Sequence, residues 1–501
     1  MQTWIEIPRR LIPSNAKVLD GTWVFARKRN PEGEITKYKG RFCVRGDQQQ
    51  YGIDYFESYA PVTSWSTVRL MMIIGILANL ATVQVDYTNA FAQAPIKEEV
   101  YIKIPIGFES TNKIGEEEIV LKLQKSLYGL VQAPRTFYEH LTDTLTEKGF
   151  TCDRNIDACL WVNKERQIIC VIYVDDCLFF SKKEETIHKF IKEIESKMPM
   201  KVENSVTAFL GIKISKEGNK INLAQPSLIR QILKVTNLED CNSIYAPAVH
   251  TPVGTDLLGE KFNEKWEYAS VVGMLMFLAN NTRPDIAYAT HQVARFTHNP
   301  KTSHAFAVKR IVRYLQGTKD KGMILEPSKN FTVDCYVDAD FAGLYPVENS
   351  QDPISVRSRT GYVFFLANCP LLWASKLQTE IALSTMEAEY IALSQSLRDL
   401  IPLRRLVRFI CDIVFGKNKV ESKMYSTVFE DNQGTLQLAR APRMTPRTKH
   451  YGIKYHFFRE YVEKGDLKLS KIHTKEQRAD ILTKGLPRPT FEYLRKYLLG
   501  W

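Results

Sequence analysis

From residue 168 the chain reads Ile-Ile-Cys-Val-Ile-Tyr-Val, then Asp175-Asp176, then Cys-Leu-Phe-Phe-Ser. Two short apolar runs joined by two turn-forming residues describe a strand, a tight turn and a return strand. With so little polar content on either side, the hairpin is destined for burial, and the fold has to be built around it. Its tip carries two adjacent carboxylates, which repel each other unless something cationic neutralises them. Aspartate is also an ordinary turn residue, but the apolar flanks make a metal ion the natural partner.

A third carboxylate stands where such a tip could use it. Residues 81–86 read as a strand, and Asp86 ends it after Thr82-Val83-Gln84-Val85. Phosphoryl transfer to a growing strand uses two divalent cations roughly 3.5–4 Å apart, which stabilise the attacking and leaving oxygens. Hard cations such as Mg²⁺ are held by carboxylate oxygens together with substrate phosphates. Asp86, Asp175 and Asp176 therefore form the first candidate metal-binding and catalytic set.

The last third of the chain offers a second set. Asp338 ends the strand-like Val333 to Val337, and Glu387 and Glu389 lie on the helical stretch from Ser384 to Ser394. Asp431 follows the strand-like Ser426 to Glu430, and Asp480 comes early in a helical Gln477 to Lys484. Each alone is an ordinary cap or surface charge. Four in order, each beside an apolar strand end or helix face, outline a cluster, and hydrolysis of RNA uses the same two-cation logic with water as nucleophile. Asp338 and Asp340 share a strand face, and Asp338 is preferred as nearer the strand core. Glu387 and Glu389 stand about 200° apart around a helix, so one of them faces the metals.

Between these sets the organisation is coarse but readable. Residues 22–47 suggest two strands around a turn at Asn30-Pro31-Glu32-Gly33, the second strand studded with cations. Alternate strand residues share a face, so Lys39 and Arg41 point together, with Arg45 on the same face. Val68 to Leu80 looks helical, as does 134–149, stopped at Gly149. Helical segments run from about 225 to 317. From Thr332 strands and helices alternate: Gly361 to Leu366, a helix at 384–400, a strand at 424–430 and a helix near 433–440. That alternation suggests a compact mixed α/β domain starting near Pro327.

Composition sets the remaining bounds. The 501 residues fit about three domains. An excess of 68 Lys and Arg over 56 Asp and Glu, a formal charge of +12, favours a polyanionic partner such as nucleic acid. The nine cysteines stand singly, without the close pairing of a structural zinc site. The first residues lack a signal peptide's apolar core. The longest apolar stretch, Leu70 to Val83, falls short of the roughly 20 residues of a membrane span. A soluble, intracellular chain without membrane association is expected.

Tyr173-Val174-Asp175-Asp176 resembles the signature of reverse transcriptases, and its surroundings resemble the copia-type retrotransposon subfamily. The matching stretches include Tyr38-Lys39-Gly40-Arg41, Gly52-Ile53-Asp54-Tyr55, Tyr59-Ala60-Pro61-Val62, and Val85-Asp86 with Ala90-Phe91. Leu127-Tyr128-Gly129-Leu130, Gln132-Ala133-Pro134-Arg135 and Phe209-Leu210-Gly211-Ile212 follow. Thr282-Arg283-Pro284-Asp285-Ile286-Ala287 and Arg313-Tyr314-Leu315-Gln316-Gly317-Thr318 complete the first two-thirds. The relatives' Leu-Asn-Gly after the Asp86 motif is Ala92-Gln93-Ala94 here, a change that spares every carboxylate.

The resemblance implies an α+β multidomain chain: a right-hand polymerase of fingers, palm and thumb, then an α/β ribonuclease H-like domain with a mixed sheet. Fingers and palm would take residues 1–218, a mostly helical thumb and connection 219–327, and the nuclease 328–501. Asp86, Asp175 and Asp176 would be the palm's metal carboxylates. Lys39, Arg41 and Arg45 would meet the incoming triphosphate, and Phe91 would lie under the sugar. Tyr128 and Gly129 would lie near the nascent base pair, while Phe209, Leu210 and Gly211 would grip the primer end.

In the nuclease region the segments around Asp338, Ser384 to Tyr390, Asp431 and Ala479 to Lys484, with Thr448-Lys449-His450 and Tyr455-His456-Phe457, resemble the same family's ribonuclease H. The apolar register after Glu389 favours it over Glu387, giving Asp338, Glu389, Asp431 and Asp480 as that site's catalytic and metal residues. His473 is a weaker candidate for proton transfer or product release. Leu344 to Val356 is longer than the family's usual loop.

Two Mg²⁺ or Mn²⁺ ions per site are implied. The implied partners are an RNA template, a DNA primer, RNA–DNA hybrid, deoxynucleoside triphosphates and other polyprotein parts such as integrase. The implied setting is a cytoplasmic virus-like particle, with nuclear entry open. No protease-like Asp-Thr-Gly, integrase zinc cluster or nucleocapsid knuckle is visible, so the chain reads as the last part of a polyprotein. A catalytically silent nucleic-acid-binding remnant is the alternative, against which all seven carboxylate positions are filled. A telomerase- or splicing-type relative is a third, against which the ribonuclease H-like tail speaks.

Overall fold

The computed structural model describes residues 2–14, 16–29, 34–109, 118–329, 331–345, 354–416, 426–441 and 456–501. The turn at Asn30 to Gly33, most of the Leu344 to Val356 loop, residues 424–425, and Thr448 to His450 with Tyr455 lie outside them. Two compact units result: Met1–Ser64 with Asn79–Val206, and Trp65–Ala78 with Thr207–Trp501.

The first unit is organised by the acidic hairpin. Ile168–Tyr173 and Asp176–Ser181 pair antiparallel, and the ladder continues through Ala81–Tyr87 to Met200–Glu203 on one side and Leu160–Asn163 on the other. Alternate residues reach one face, so Val83, Val85, Cys170, Ile172, Cys177 and Phe179 share a core with Phe137, Leu141 and Leu145 of the helix Ala133–Glu147 and with Ile187, Phe190 and Ile194 of Glu184–Ile194. Val171 and Leu178, on the opposite face, are fully buried as well, which is why the run shows no polar alternation. The Ala133–Glu147 helix ends as expected, with Gly149 left-handed at φ +81° just past its cap. The cationic hairpin consists of Gly21–Arg29 and Ile35–Val44. A further small sheet joins Trp4–Pro8, Ile119–Leu123, Tyr101–Ile102 and Val18–Leu19.

The second unit begins with a small sheet of Ala208–Phe209, Ile212–Glu217, Lys220–Ala224 and Met323–Leu325. The division expected at residue 218 falls in the Gly218 turn of this sheet's central hairpin. Helices Pro226–Val235, Tyr268–Asn281, Ala287–Ala294 and Thr302–Gln316 fill the expected helical region. A five-stranded mixed sheet follows, ordered Cys369–Leu377, Arg359–Leu366, Val333–Asp340, Ser426–Glu430 and Leu467–Lys471. Its first three strands are antiparallel and its last three parallel.

Three details depart from the sequence reading. The helix expected at 384–400 runs Thr385–Phe415, straight through Pro402. An interior proline costs roughly 3 kcal/mol, but the buried stripe Leu403, Leu406, Val407, Ile410 and Val414 continues beyond it and holds the helix to its core. The strands Cys369–Leu377 and Leu467–Lys471 carry lysines and a proline, so they gave no clean strand pattern. Asp480 lies on a 3-10 helix, Arg478–Leu482, rather than an α-helix. Gln477 enforces the tighter turn: its amide accepts from Ala479 N at 3.3 Å and donates to the Val337 carbonyl at 2.8 Å.

Candidate active sites

In the first unit, Asp176 opens the return strand with Asp86 as its ladder partner. Directly opposed residues of an antiparallel pair project from the same face, so the two carboxylates are neighbours. Asp175 occupies the turn, its carbonyl accepting the Tyr87 N–H at 3.2 Å. Val174 is left-handed, at φ +54°. That is a costly conformation for a β-branched residue, imposed by the strands that frame the turn. Burial, and then the charges of Asp175 and Asp86, push Asp176 up to about 6. Lys201, which the sequence reading missed, is the ladder partner of Asp86 on its other edge and is paired with Glu203 at 2.7 Å.

Several of the expected nucleotide-binding residues gather beside this turn. The Arg41 guanidinium lies 5.0 Å from the Tyr128 ring centre, and the Phe91 ring meets Tyr128 edge-on at 4.7 Å. Burial and then Asp175 push the Tyr128 phenol up, with Arg41 opposing, so Arg41, Tyr128 and the carboxylates share one electrostatic neighbourhood. Lys39 is two residues from Arg41 on the same strand. Arg45 lies beyond that strand's end, and Asp47 holds its guanidinium through two contacts of 2.6 and 3.1 Å. Gly129 has φ +93°, and a Cβ there would come within 2.1 Å of the Val44 carbonyl oxygen. The close approach it permits is to the cationic hairpin. Phe209 belongs to the second unit, where it is buried against Trp65, while Leu210 and Gly211 form a left-handed turn at φ +50° and +78°.

The second cluster is assembled on the mixed sheet. Asp338 is near the end of the central strand, Asp431 directly follows its parallel neighbour, and Glu389 lies in the first turns of Thr385–Phe415. Each brings an oxygen within 4.8 Å of the others, the one such group among the described residues. Asp480 completes the cluster from the 3-10 helix. The Thr483 hydroxyl donates to Asp338 Oδ2 at 2.5 Å. Lys484 Nζ stands 2.9 Å from Asp480 Oδ1, a charge contact without hydrogen-bond alignment, and 3.7 Å from Asp338 Oδ2.

Glu430, also missed by the sequence reading, is fully buried beside Asp431. Burial pushes Asp338, Glu389 and Glu430 well above the usual carboxylate range, and neighbouring carboxylates add to it. Burial raises Asp480 as well, with Lys484 opposing. Among the described residues, Oε2 of Glu389, a residue only 4% exposed, and Oε2 of Glu430 have no hydrogen-bond partner. Buried carboxylate oxygens without partners are what a hard divalent cation would satisfy, so the residues fit such an ion.

The competing candidates have other tasks. Glu387 lies at the N-terminus of its helix, its amide bonded to the capping Ser384 hydroxyl at 3.2 Å and its carboxylate accepting from Leu383 N at 2.8 Å. Asp340 stands at the outer end of the strand, near Arg359 and Lys484. His473 is exposed and caps a short 3-10 turn through Lys475 N at 3.1 Å.

Residues 7–250 match the family described as reverse transcriptase (RNA-dependent DNA polymerase). Over 491 residues the chain is 30% identical to the retrovirus-related Pol polyprotein from transposon RE1 of Arabidopsis thaliana, covering 98% of this chain and 32% of that protein. Over 500 residues it is 34% identical to the corresponding polyprotein from transposon TNT 1-94 of Nicotiana tabacum, covering 98% and 36%. The chain thus spans about a third of the length of these relatives. A solved foamy viral protease-reverse transcriptase in complex with double-stranded DNA aligns over 87% of this chain and 63% of its own, with a TM-score of 0.46 and 14% identity. The match to the reverse transcriptase family at 7–250, with similarity to transposon Pol polyproteins along nearly the whole chain, supports a copia-type Pol polyprotein of a retrotransposon.

Proposed function

We propose that the chain is an RNA-directed DNA polymerase that also cleaves the RNA of RNA–DNA hybrids, with divalent ions at both sites. The observation that carries the polymerase reading is the pairing of Asp86 with Asp176 beside the Asp175 turn. It brings two strand-borne carboxylates, with Asp175 on the adjoining turn, to one end of a buried sheet. Bound Mg²⁺ or Mn²⁺ would stabilise the attacking and leaving oxygens of phosphoryl transfer. Arg41 and Lys39 would take the triphosphate, Tyr128 and Phe91 the sugar and base, and the Phe209 to Gly211 hairpin the primer end. In this reading 1–218 are fingers and palm, 219–327 thumb and connection, and 328–501 the nuclease.

The nuclease reading rests on Asp338, Glu389 and Asp431 converging while Asp480 approaches from a fourth element. The formal charge of +12 suits template, primer and hybrid, and binding should weaken steeply with salt. Other parts of the polyprotein, integrase among them, are the expected protein partners. A cytoplasmic virus-like particle is the proposed setting. Among the described residues no helix is long and apolar enough to cross a membrane.

Primer extension on an RNA template and hybrid cleavage, measured on the same preparations, test both halves. Asp176→Asn should abolish extension and leave cleavage, and Glu389→Gln should do the reverse. Extension undiminished by Asp176→Asn would remove the polymerase assignment. A folded chain that binds hybrid in a salt-dependent way but does neither reaction would be the silent remnant.

A further inference from the structure

The nuclease cluster contains a cation of its own. Five carboxylates, from Asp338, Glu389, Glu430, Asp431 and Asp480, gather there, and Lys484 is the cation acting on Asp338, Glu389 and Asp480. Its ammonium faces Asp480, which is not among the three residues whose oxygens converge within 4.8 Å. It lies between Asp480 Oδ1, at 2.9 Å, and Asp338 Oδ2, at 3.7 Å. Both carboxylates are buried, at 6% and 3% exposure, whereas the lysine side chain keeps 34% of its surface open.

The local fold holds it there. Gln477 ties the 3-10 helix to the Val337 carbonyl, Thr483 donates to the same Asp338 oxygen that Lys484 faces, and Gly361 leaves room for Thr483. A Cβ on Gly361 would come within 2.6 Å of the Thr483 methyl. Lys484 follows Asp480 by four residues, so the pair is set by the backbone of one short segment.

We propose that, without substrate, the Lys484 ammonium occupies the second cation position of this cluster. The site then loads one divalent ion, on Asp338, Glu389 and Asp431, and a second ion enters only by displacing the lysine. The inference rests on the nuclease reading above and makes Lys484 a positioning residue that acts through Asp338 and Asp480. A fixed ammonium within 4 Å opposes a second cation there both by repulsion and by occupying its oxygens.

The test is Mn²⁺ binding to the full chain without nucleic acid, followed by the paramagnetic signal of free ion. Asp175→Asn and Asp176→Asn are introduced first, to silence the other site. The parent should bind one ion, lost in Glu389→Gln. Lys484→Gln should bind two, the second at least about tenfold tighter than any second ion in the parent. Lys484→Arg, which keeps the charge, should stay at one, and this separates the effect from a general loosening of the fold. A parent that loads two ions, or a Lys484→Gln chain that stays at one, overturns the proposal; if either still cleaves hybrid, the nuclease reading survives. A parent with no ion sensitive to Glu389→Gln and no hybrid cleavage overturns the nuclease reading, and this proposal with it.

Discussion

At the scale of single residues, the candidate sites are places where charge is held against its own preference. Asp176 titrates at about 6 rather than 3.8 because burial and two neighbouring carboxylates disfavour its anion. The folded chain therefore holds that proton more tightly than the unfolded chain. Its contribution to stability is most favourable below about pH 4, falls as pH rises through the window from 3.8 to about 6, and is flat above it. In metal-free solution, Asp176→Asn should leave stability nearly unchanged at pH 4. At pH 7 it should raise stability by roughly 1–2 kcal/mol, a value already reduced for partial solvent screening. Urea unfolding at the two pH values measures this, and an equal effect at both would contradict it. Added Mg²⁺ should shrink the gain by stabilising only the parent.

Glu387 and Glu389 make the complementary case. The sequence offers two carboxylates on one helix and favours Glu389 by its apolar register; in the fold Glu389 lies beside Asp338 and Asp431 while Glu387 makes end-of-helix contacts. Glu387→Gln should cost about 0.5–1 kcal/mol of stability through its end-of-helix contacts. Hybrid cleavage by that variant should stay within a few-fold of the parent. Abolished cleavage in Glu387→Gln would mean that the two roles are exchanged.

At the scale of elements, the site depends on close backbone approaches whose partner strand the motifs do not reveal. Gly129 adjoins Tyr128, and its missing side chain lets the Val44 amide reach the Tyr128 carbonyl at 2.8 Å. Gly129→Ala places a methyl against that strand at a positive φ. It should cost about 2 kcal/mol or more, and it should lower primer extension although no carboxylate is touched. A variant with parental stability and extension would show that the hairpin and turn do not need this contact. The Thr385–Phe415 helix makes a related point: Pro402 marks a stop in the sequence, but a buried stripe on both sides of it outweighs the lost hydrogen bond.

At the scale of the whole molecule, some of the most recognisable motifs serve architecture rather than chemistry. Arg283, from the Thr282 to Ala287 stretch, is fully buried and pairs with Asp285 through contacts of 2.8 and 3.0 Å. It also reaches the Thr318 hydroxyl at 2.8 Å, and the Tyr314 hydroxyl donates to Asp285 at 2.5 Å. Both Tyr314 and Thr318 come from the second quoted stretch, Arg313 to Thr318, and the Trp501 ring closes over the guanidinium at 5.4 Å. Arg283→Ala would leave a buried carboxylate without its cation and should cost about 3–5 kcal/mol. Replacing Arg283 and Asp285 together by Met and Leu should recover most of that loss. Thermal unfolding of the single and double variants reads the difference, and a single variant as stable as the parent would exclude a structural role for the pair.

Local pattern alone determined the acidic hairpin, the strand bearing Asp86, the helical stretch before residue 317 and most of the alternating elements after 332. Each of these announces itself through burial periodicity or turn chemistry within a dozen residues. Distances across the chain were decided only by the tertiary structure. They include that Glu430 lies buried beside Asp431, that Lys201 flanks Asp86, and that Lys484 stands between Asp338 and Asp480. A carboxylate's neighbours are set by strand order, register and packing, which bring together residues far apart in the chain and leave no periodic trace in the order of amino acids.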